Sequence, residues 1–281
     1  MFWLATWIAV SLIGVAGVVA STNSIRFARR VAHDVRRMWT QAVEPPHLDR
    51  RRLEALPAPV RRYLGKVIGD RGRAVRTVRL RHGGTFRTKL DGGWLPIRGE
   101  QYFSADPPGF VWWGRVRVVP GLWVDARDRS VNAIANMLVK VESTFTLADS
   151  TGPELDESAL QRLLAEMVWF PTVLLDDRYV AWTAIDDRQA RATLRVNGRE
   201  VVGVFEFGQD DLPAVFSAHR YRDLGGGKAV LTPFVGEYGD YRWVDGLLVP
   251  HRMNGYWEVD GQRLPYVRFQ VERLEYDVTP P

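Results

Sequence analysis

The sequence predicts a mostly β protein of the α+β class, in which one long, curved, half-barrel-like antiparallel sheet surrounds a central helix. Apolar and polar residues alternate with period two from about residue 74 onward, as they do in half-buried strands. Asn-Gly or Asp-Gly pairs at residues 197–198, 245–246 and 260–261 mark tight turns between such strands. Helical spacing of apolar residues interrupts this pattern over residues 160–168, which we expect to form the central helix.

Composition and charge divide the chain into three parts. The 281 residues are 46% hydrophobic and 25% charged, which is enough apolar material for a buried core. None is cysteine, which excludes disulfides, thiolate zinc sites and a catalytic thiol. Residues 2–20 carry no charge, residues 21–81 carry 16 basic and 5 acidic side chains, and residues 82–281 carry 22 and 28. We predict a transmembrane helix over 2–20, a basic juxtamembrane segment over 21–55 and a β-rich domain over 56–281.

The uncharged residues 2–20 are long enough to cross a bilayer. As a helix they would span about 28 Å, close to the ~30 Å of the hydrocarbon core. This predicts a single-pass protein of the cell membrane; the alternative is a signal peptide cleaved before Ser21, which the lack of a preceding basic residue disfavours. Because basic residues follow the span, the positive-inside rule favours the cytoplasmic over the extracytoplasmic side for the large domain.

The next segment combines apolar and basic residues at helical spacing over 25–42. We interpret it as an amphipathic helix on the bilayer surface, attracted to anionic headgroups. The alternative is a continuation of the first helix that packs its apolar residues on the large domain. A nucleic-acid partner is not expected, because the basic run is short and the rest of the chain is acidic. The residues predicted to face the membrane surface are Arg26, Arg29, Arg30, Arg36 and Arg37.

A second helix and a series of strands follow. Pro57 begins the helix, residues 60–68 give it one apolar face, and Gly69 ends it. A two-residue loop at 197–198 pairs Arg195 with Glu200, and one at 260–261 pairs Glu258 with Arg263. Together with the strands of these hairpins, the predicted strands form a meander of about ten strands. The other predicted strands are 75–81, 99–104, 110–119, 138–147, 180–185, 215–221 and 230–235.

The central helix contains the main candidate for chemistry. Asp156 can cap this helix, and Glu166 lies where a curved sheet would bury it. Glu166 could act as an acid or base, or as an anchor for a polar head group. An enzyme would use Glu166 together with His219 or His251; these two histidines, and Arg220 beside the first, lie on predicted strands and could converge on it. The alternative is that Glu166 pairs with Arg162, four residues earlier, or holds a strand in register. No His pair has metal-ligand spacing, and no nucleophile elbow or phosphate loop occurs, so we predict no metal and no cofactor.

Aromatic residues are the other candidates for a functional role. Seven Trp, two Phe and two Tyr of the β-rich domain are many large side chains for one sheet, and they could line a cavity for an acyl chain or another apolar ligand. The alternative is that they fill the space between sheet and helix, with their indole N–H groups bonded locally. The candidate ligand contacts are Trp112, Trp169, Phe170, Trp182, Trp243 and Trp257.

Three segments resemble a bacterial family of unknown function whose members often begin with a membrane helix. They are Leu-Pro-Ala-Pro-Val-Arg-Arg-Tyr-Leu at 56–64, Leu-Leu-Ala-Glu-Met-Val-Trp-Phe-Pro at 163–171, and Gly246, Pro250-His251 and Tyr256-Trp257 near the end. The resemblance extends over about residues 56–276 and implies no activity. The layout is also similar to that of the lipoprotein-localisation carriers, whose half-barrel holds acyl chains; this implies a fold and not a function.

Together these observations lead to one main hypothesis. We expect a membrane-anchored, non-catalytic binding module for a lipidic or other apolar ligand near the bilayer. An enzyme using Glu166 with a histidine is the second hypothesis, and a structural or partner-binding membrane protein, with a protein partner that the sequence does not identify, is the third.

Overall fold

The computed structural model describes residues 2–40, 42, 47–69 and 71–281, although the side chains of residues 2, 4–6 and 8–16 are not among those described. Its α-helices are α1 (Phe2–Thr40), α2 (Ala58–Val67) and α3 (Pro153–Glu166), and short 3-10 helices lie at Arg50–Ala55, Met167–Trp169 and Pro171–Leu175. The strands are β1 (Thr77–Phe86), β2 (Leu95–Ala105), β3 (Pro108–Val119), β4 (Leu122–Val131), β5 (Ile134–Val141), β6 (Phe145–Ser150), β7 (Val180–Ala184), β8 (Gln189–Val196), β9 (Arg199–Phe207), β10 (Pro213–Gly225), β11 (Lys228–Val244), β12 (Leu247–Val259) and β13 (Gln262–Tyr276).

The strands form a single antiparallel sheet around α3, which confirms the predicted curved sheet. The 13 strands are ordered β6-β5-β4-β3-β2-β1-β13-β12-β11-β10-β9-β8-β7. The first six strands run from the middle of the sheet to one edge, α3 crosses over, and β7 begins at the opposite edge. Since α3 contacts β3, β4 and β5 of one half and β9 and β10 of the other, the sheet must curve around it. The main core lies between the concave face of the sheet, α2 and α3.

The predicted hairpins and the second helix are confirmed. The 197–198 turn pairs Arg195 with Glu200, and the 260–261 turn pairs Glu258 with Arg263. Asn197 has a φ of 48° and Gly198 of 77°, the left-handed values that a type I′ turn requires. In α2 every residue of the predicted apolar face is buried. These residues are Val60, Tyr63, Leu64, Val67 and Ile68.

The sheet has more strands than the predicted ten or so. The predicted strand 138–147 is in fact β5 and β6, because Glu142 and Ser143 turn the chain with φ values of 48° and 56°. The strand β4 was not predicted, because its outward side chains are charged. Arg127 of β4 is buried under α1 and donates to Asp34 across 2.7 Å. The buried positions of β4 therefore hold ion-paired charged residues, so the strand lacks the alternation of polar and apolar residues by which a strand is predicted from sequence.

The apolar side of the predicted surface helix, residues 25–42, faces the sheet and not a bilayer. The apolar residues of the second half of α1 pack on the convex face of the sheet, against Tyr102, Val111 and Leu138. Trp39 of this helix also donates from Nε1 to the carbonyl oxygen of Phe103 across 3.0 Å. The alternative interpretation, a continuous helix docked on the domain, is therefore the right one. The docked residues are Phe27, Val31, Val35, Met38 and Trp39.

The predicted membrane span, residues 2–20, forms the first half of α1. Most of its side chains lie outside the described ones. Within the part of the chain that the structure describes, no helix has a stretch long and apolar enough to cross a membrane.

The predicted cap of the central helix is wrong. Helix α3 begins at Pro153 after Gly152, and no side chain caps its first turn. Asp156 lies one turn further in, where its carboxylate accepts from the backbone N–H of Ala135 across 2.6 Å and from Arg199 across 2.8 Å. Its carboxylate therefore connects α3 to β5 and β9, two strands from opposite halves of the sheet.

Candidate functional site

A cluster of charged side chains lies between α3 and the concave face of the sheet. Glu166, which is 2% exposed, accepts from Arg162 Nε across 2.8 Å and from Gln101 Nε2 across 2.6 Å, so both of its carboxylate oxygens are used. Arg162 also donates from Nη1 to Asp128 across 2.7 Å. The predicted pair of Glu166 with Arg162 is thus present, within a larger network that joins α3 to β2 and β4.

Burial and neighbouring charges shift the pKa values of this cluster in opposite directions. Burial raises the pKa of Glu166, while Arg162, Gln101 and the charge of Arg220 oppose that rise. Burial alone would lower the pKa of Arg162, but the charges of Glu166 and Asp128 raise it instead. The guanidinium therefore stays charged, and it stabilises the two carboxylates that flank it.

The histidines predicted to work with Glu166 do not contact it. His219 is exposed on the outer face of β10. His251 is buried, and its Nδ1 lies 3.2 Å from the carbonyl oxygen of Val249, while burial lowers its pKa. The hydrogen-bond partners of Glu166 are Arg162 and Gln101. In the described ranges, no group of three or more His, Asp or Glu residues is arranged to hold a metal ion.

His82 is the buried histidine closest to the charge cluster, and it was not predicted. Its Nε2 accepts from Trp112 Nε1 across 2.9 Å, and its ring lies 3.9 Å from that of Phe269. Burial, and secondarily the charge of Arg162, lower the pKa of His82 to about 3. The imidazole is therefore neutral at physiological pH. Since its neighbours Trp112, Phe269 and Arg162 come from β3, β13 and α3, no local pattern could have identified it.

The predicted ligand-contacting aromatics are mostly core residues. Trp169 is 1% exposed and donates to the carbonyl oxygen of Pro250 across 3.0 Å, and Trp182 donates to that of Leu174 across 2.9 Å. Phe170 is completely buried, and Trp112 and Trp257 nearly so. Trp243 lies apart, with 59% of its surface exposed. The space next to Trp169 and Phe170 is filled, which fits the packing alternative; direct contact with a ligand stays a prediction.

An opening in the sheet separates β9 from β10. The two strands pair from Phe207 with Pro213 to Val204 with Ser217 and no further, although β9 extends to Arg199 and β10 to Gly225. A cleft of about 590 Å³ occupies the gap. Helix α3 lies behind it, and Ser158 of this helix donates across 3.1 Å to the carbonyl oxygen of Tyr221 on β10.

The cleft has apolar walls and a polar rim. Two of its apolar side chains, Val202 and Leu231, are 39% and 48% exposed. At the rim, Glu200 pairs with Arg195 across 2.7 Å and Glu258 pairs with Arg263 across 3.3 Å. The apolar side chains of the walls are Val201, Val202, Val204, Ala218, Leu231, Pro233, Phe234 and Val235.

Two polar side chains, one lining the inner end of the cleft and one next to it, have unused hydrogen-bonding atoms. Gln161 of α3 lines the cleft, is 5% exposed, and its Oε1 has no hydrogen-bond partner. Arg220 of β10 is 8% exposed, and its Cζ lies 4.6 Å from the ring centroid of Phe234 and 5.7 Å from that of Trp257. Its Nε is buried without a hydrogen-bond partner.

Residues 46–269 match the family model described as Family of unknown function (DUF6544), which is most of the chain. The chain belongs to this family. The match confirms the resemblance seen in the three sequence segments, all of which lie within its range. The opening, α3 and the charge cluster lie within it as well. No curated protein matches the chain.

Two solved structures are similar to this family member in fold. One is described as an outer membrane lipoprotein-sorting protein domain from Vibrio parahaemolyticus, with a TM-score of 0.38, 9% identity, and coverage of 72% of this chain and 86% of that one. The other is a LolA superfamily protein from Nitrosomonas europaea, with a TM-score of 0.36, 8% identity, and coverage of 73% and 88%. Similarity at this level concerns the arrangement of strands and says nothing about what the chain binds.

The sequence did not predict the opening between β9 and β10. In sequence β9 and β10 alternate regularly, so nothing local shows where their pairing ends. The alternation does place Arg220 on the same face as Phe216 and opposite His219. That signal could have identified Arg220, and not His219, as the inward-facing residue of the pair.

Proposed function

We propose that the protein is a non-catalytic binding module for a lipidic or other apolar molecule, and that the cleft between β9 and β10 takes the apolar chain. The observation that carries this proposal is the end of strand pairing at Ser217, which leaves an apolar-walled opening in the sheet. Its volume of about 590 Å³ falls within the ~300–1,000 Å³ usual for small-molecule sites.

An apolar ligand would cover the solvent-exposed apolar side chains of the cleft walls. Water now reaches Val202 and Leu231, and covering such surface is favourable by about 25 cal/mol per Å². The lining combines the apolar side chains of the walls with polar ones, among them Ser217 and His219 of β10, so a molecule with a hydrocarbon chain and a polar head fits better than a uniformly polar one.

The charge cluster supports a structural role and not catalysis. A general acid or base needs a free oxygen that can reach a substrate proton. Both oxygens of Glu166 are engaged by Arg162 and Gln101, and neither His219 nor His251 contacts it. We therefore assign the cluster the role of fixing α3 behind the opening.

Blocking the cleft should abolish binding of an apolar probe. In the variant Ala218→Trp, the indole would occupy the space between the walls, and the affinity for the neutral fluorescent probe N-phenyl-1-naphthylamine should fall at least about tenfold. Fluorescence titration of the purified full chain measures this change. Ala184→Trp, at an exposed position of β7, is the control and should bind as the wild type does. Equal binding by both variants, or no binding by the wild type, would refute the proposal.

We further propose that residues 2–20 anchor the module in the cell membrane as a retained single-pass helix, with the domain in the cytoplasm. The support is the uncharged stretch of sequence, the helical backbone from Phe2 onward, and the exposed arginines that follow on α1.

Removing residues 2–20 should release the protein from membranes. The full chain should sediment with membranes and resist extraction with alkaline carbonate, whereas a chain beginning at Ser21 should be soluble, because it keeps the docked half of α1 and so its fold. The intact mass of the membrane-bound protein distinguishes a retained helix from one cleaved before Ser21, and a reporter fused to the C-terminus identifies the side. A full chain that carbonate extracts would contradict the anchor.

A further inference from the structure

We propose that Arg220 makes the cleft selective for amphiphiles with an anionic head group, a carboxylate or a phosphate attached to a single apolar chain. This inference rests on the proposed binding function, and it names the class of ligand.

Arg220 lies next to the inner end of the cleft, on the concave side of the sheet. Along β10, Phe216, Ala218 and Arg220 point to the concave side; Ala218 lines the cleft wall. Phe234 lines the same cleft, and the guanidinium of Arg220 lies over its ring at 4.6 Å. Arg220 does not itself line the cleft; its guanidinium lies behind the wall that Ala218 and Phe234 form.

The guanidinium of Arg220 has no anionic partner among the described residues. It forms no ion pair and donates no hydrogen bond there, although the residue is 8% exposed and its Nε is buried. Arg162 of α3 is paired with both Glu166 and Asp128. Glu166 receives its hydrogen bonds from Arg162 and Gln101, and the charge of Arg220 acts on it without a hydrogen bond or an ion pair between the two.

An anionic head group would supply the ion pair and the hydrogen-bond acceptors that the guanidinium of Arg220 lacks. A guanidinium presents a planar set of N–H donors that matches the two oxygens of a carboxylate or phosphate, and such charge-assisted bonds strengthen where water is excluded. Gln161 lies at the inner end of the cleft, and its amide N–H groups can donate to a further oxygen of the same head group. The stacking of Arg220 on Phe234 and Trp257 holds the guanidinium in position.

The acidic residues of the rim do not prevent entry of an anion. Glu200 and Glu258 line the cleft, but each is paired with an exposed arginine, Arg195 and Arg263 respectively. Glu157 also lines it, and Arg191 provides an opposite charge at the same rim. A negative head group therefore meets a rim of mixed charge, and beyond it an unpaired cation.

The test compares amphiphiles that share a twelve-carbon chain and differ only in the head group. Dodecanoate, dodecyl phosphate, dodecyl maltoside and dodecyltrimethylammonium, each below its micelle concentration, displace N-phenyl-1-naphthylamine from the full chain. The wild type should bind the two anionic compounds at least about tenfold more tightly than the nonionic and cationic ones. Dodecanoate and dodecyl phosphate together show whether the site prefers a carboxylate or a phosphate.

The variants decide whether Arg220 is responsible. Arg220→Gln should lose the preference and keep the wild-type affinity for the neutral probe, whereas Arg191→Gln, which removes an exposed charge from the same cleft, should keep the preference. Arg220→Lys retains the charge and should bind anions more weakly than the wild type but still above the maltoside. A preference that persists in Arg220→Gln overturns this inference. A wild type that binds the probe but shows no preference overturns it too, and a wild type that binds no probe overturns the proposed function.

Discussion

Replacing Arg162 by methionine is expected to lower the free energy of unfolding by about 3–5 kcal/mol, the effect of removing one partner from a buried ion pair. Methionine fills similar volume but leaves the carboxylates of Glu166 and Asp128 buried without their cation. Urea unfolding followed by Trp fluorescence measures the loss. This is the largest effect we expect from a single substitution in α3, because the same guanidinium pairs with both carboxylates.

The same substitution on the surface separates the role of burial from that of charge. Arg195→Met removes the Arg195–Glu200 pair, whose side chains are 57% and 51% exposed, and should change stability by less than about 1 kcal/mol. Adding Glu166→Gln and Asp128→Asn to Arg162→Met should recover part of the lost stability, because no uncompensated charge then remains. If Arg162→Met and Arg195→Met have equal effects, the cluster does not stabilise the fold as described.

Acidification should destabilise the protein through His82, and this is the second large effect. The unfolded chain binds a proton at this imidazole near its ordinary pKa of 6.5, whereas the folded chain binds it only near pH 3. As the pH falls from 6.5 toward 3, the unfolded state binds a proton at His82 and the folded state does not, so the equilibrium shifts toward the unfolded state. The stability contributed by a neutral His82 is present above pH 6.5 and is lost progressively as the pH falls toward 3.

The variant His82→Gln isolates this contribution. From pH 6.5 to 4.5, the wild type should lose about 2 kcal/mol more stability than the variant, as measured by urea unfolding at each pH. Glutamine keeps an acceptor for the indole N–H of Trp112, so the comparison does not leave that donor unpaired. His33→Gln, an exposed position on α1, is the control and should follow the wild type. Parallel curves for the wild type and His82→Gln would show that burial does not shift the pKa of this histidine.

Short-range features of the fold were predictable because they depend on neighbours in sequence. The Asn197-Gly198 turn and the pairing of Arg195 with Glu200 follow from a two-residue loop with left-handed backbone angles. The pair of Arg162 and Glu166 follows from their spacing of four on a helix. The apolar face of the second half of α1 was also evident, but its partner was not: a bilayer and the convex face of a sheet both accept the same pattern.

Long-range features were not predictable, because they depend on residues that are far apart in sequence and meet only in the folded chain. Asp156 has the sequence of a helix cap, yet it pairs with Arg199 and Ala135, which only the closed fold brings near. The strand β4 carries buried charges because Asp34 of α1 pairs with Arg127. His82 is shielded by Trp112 and Phe269, which come from strands far from it along the chain.

Periodicity, turn residues and composition are local properties, so the amino-acid sequence is sufficient to predict the curved antiparallel sheet, its hairpin registers, the family and an uncharged N-terminal stretch. The position of the opening in the sheet and the surface on which α1 packs are evident only in the folded chain. Those outcomes depend on which distant surfaces meet when the chain closes around α3. An opening between two strands exists only in the assembled sheet, since each strand alone is regular.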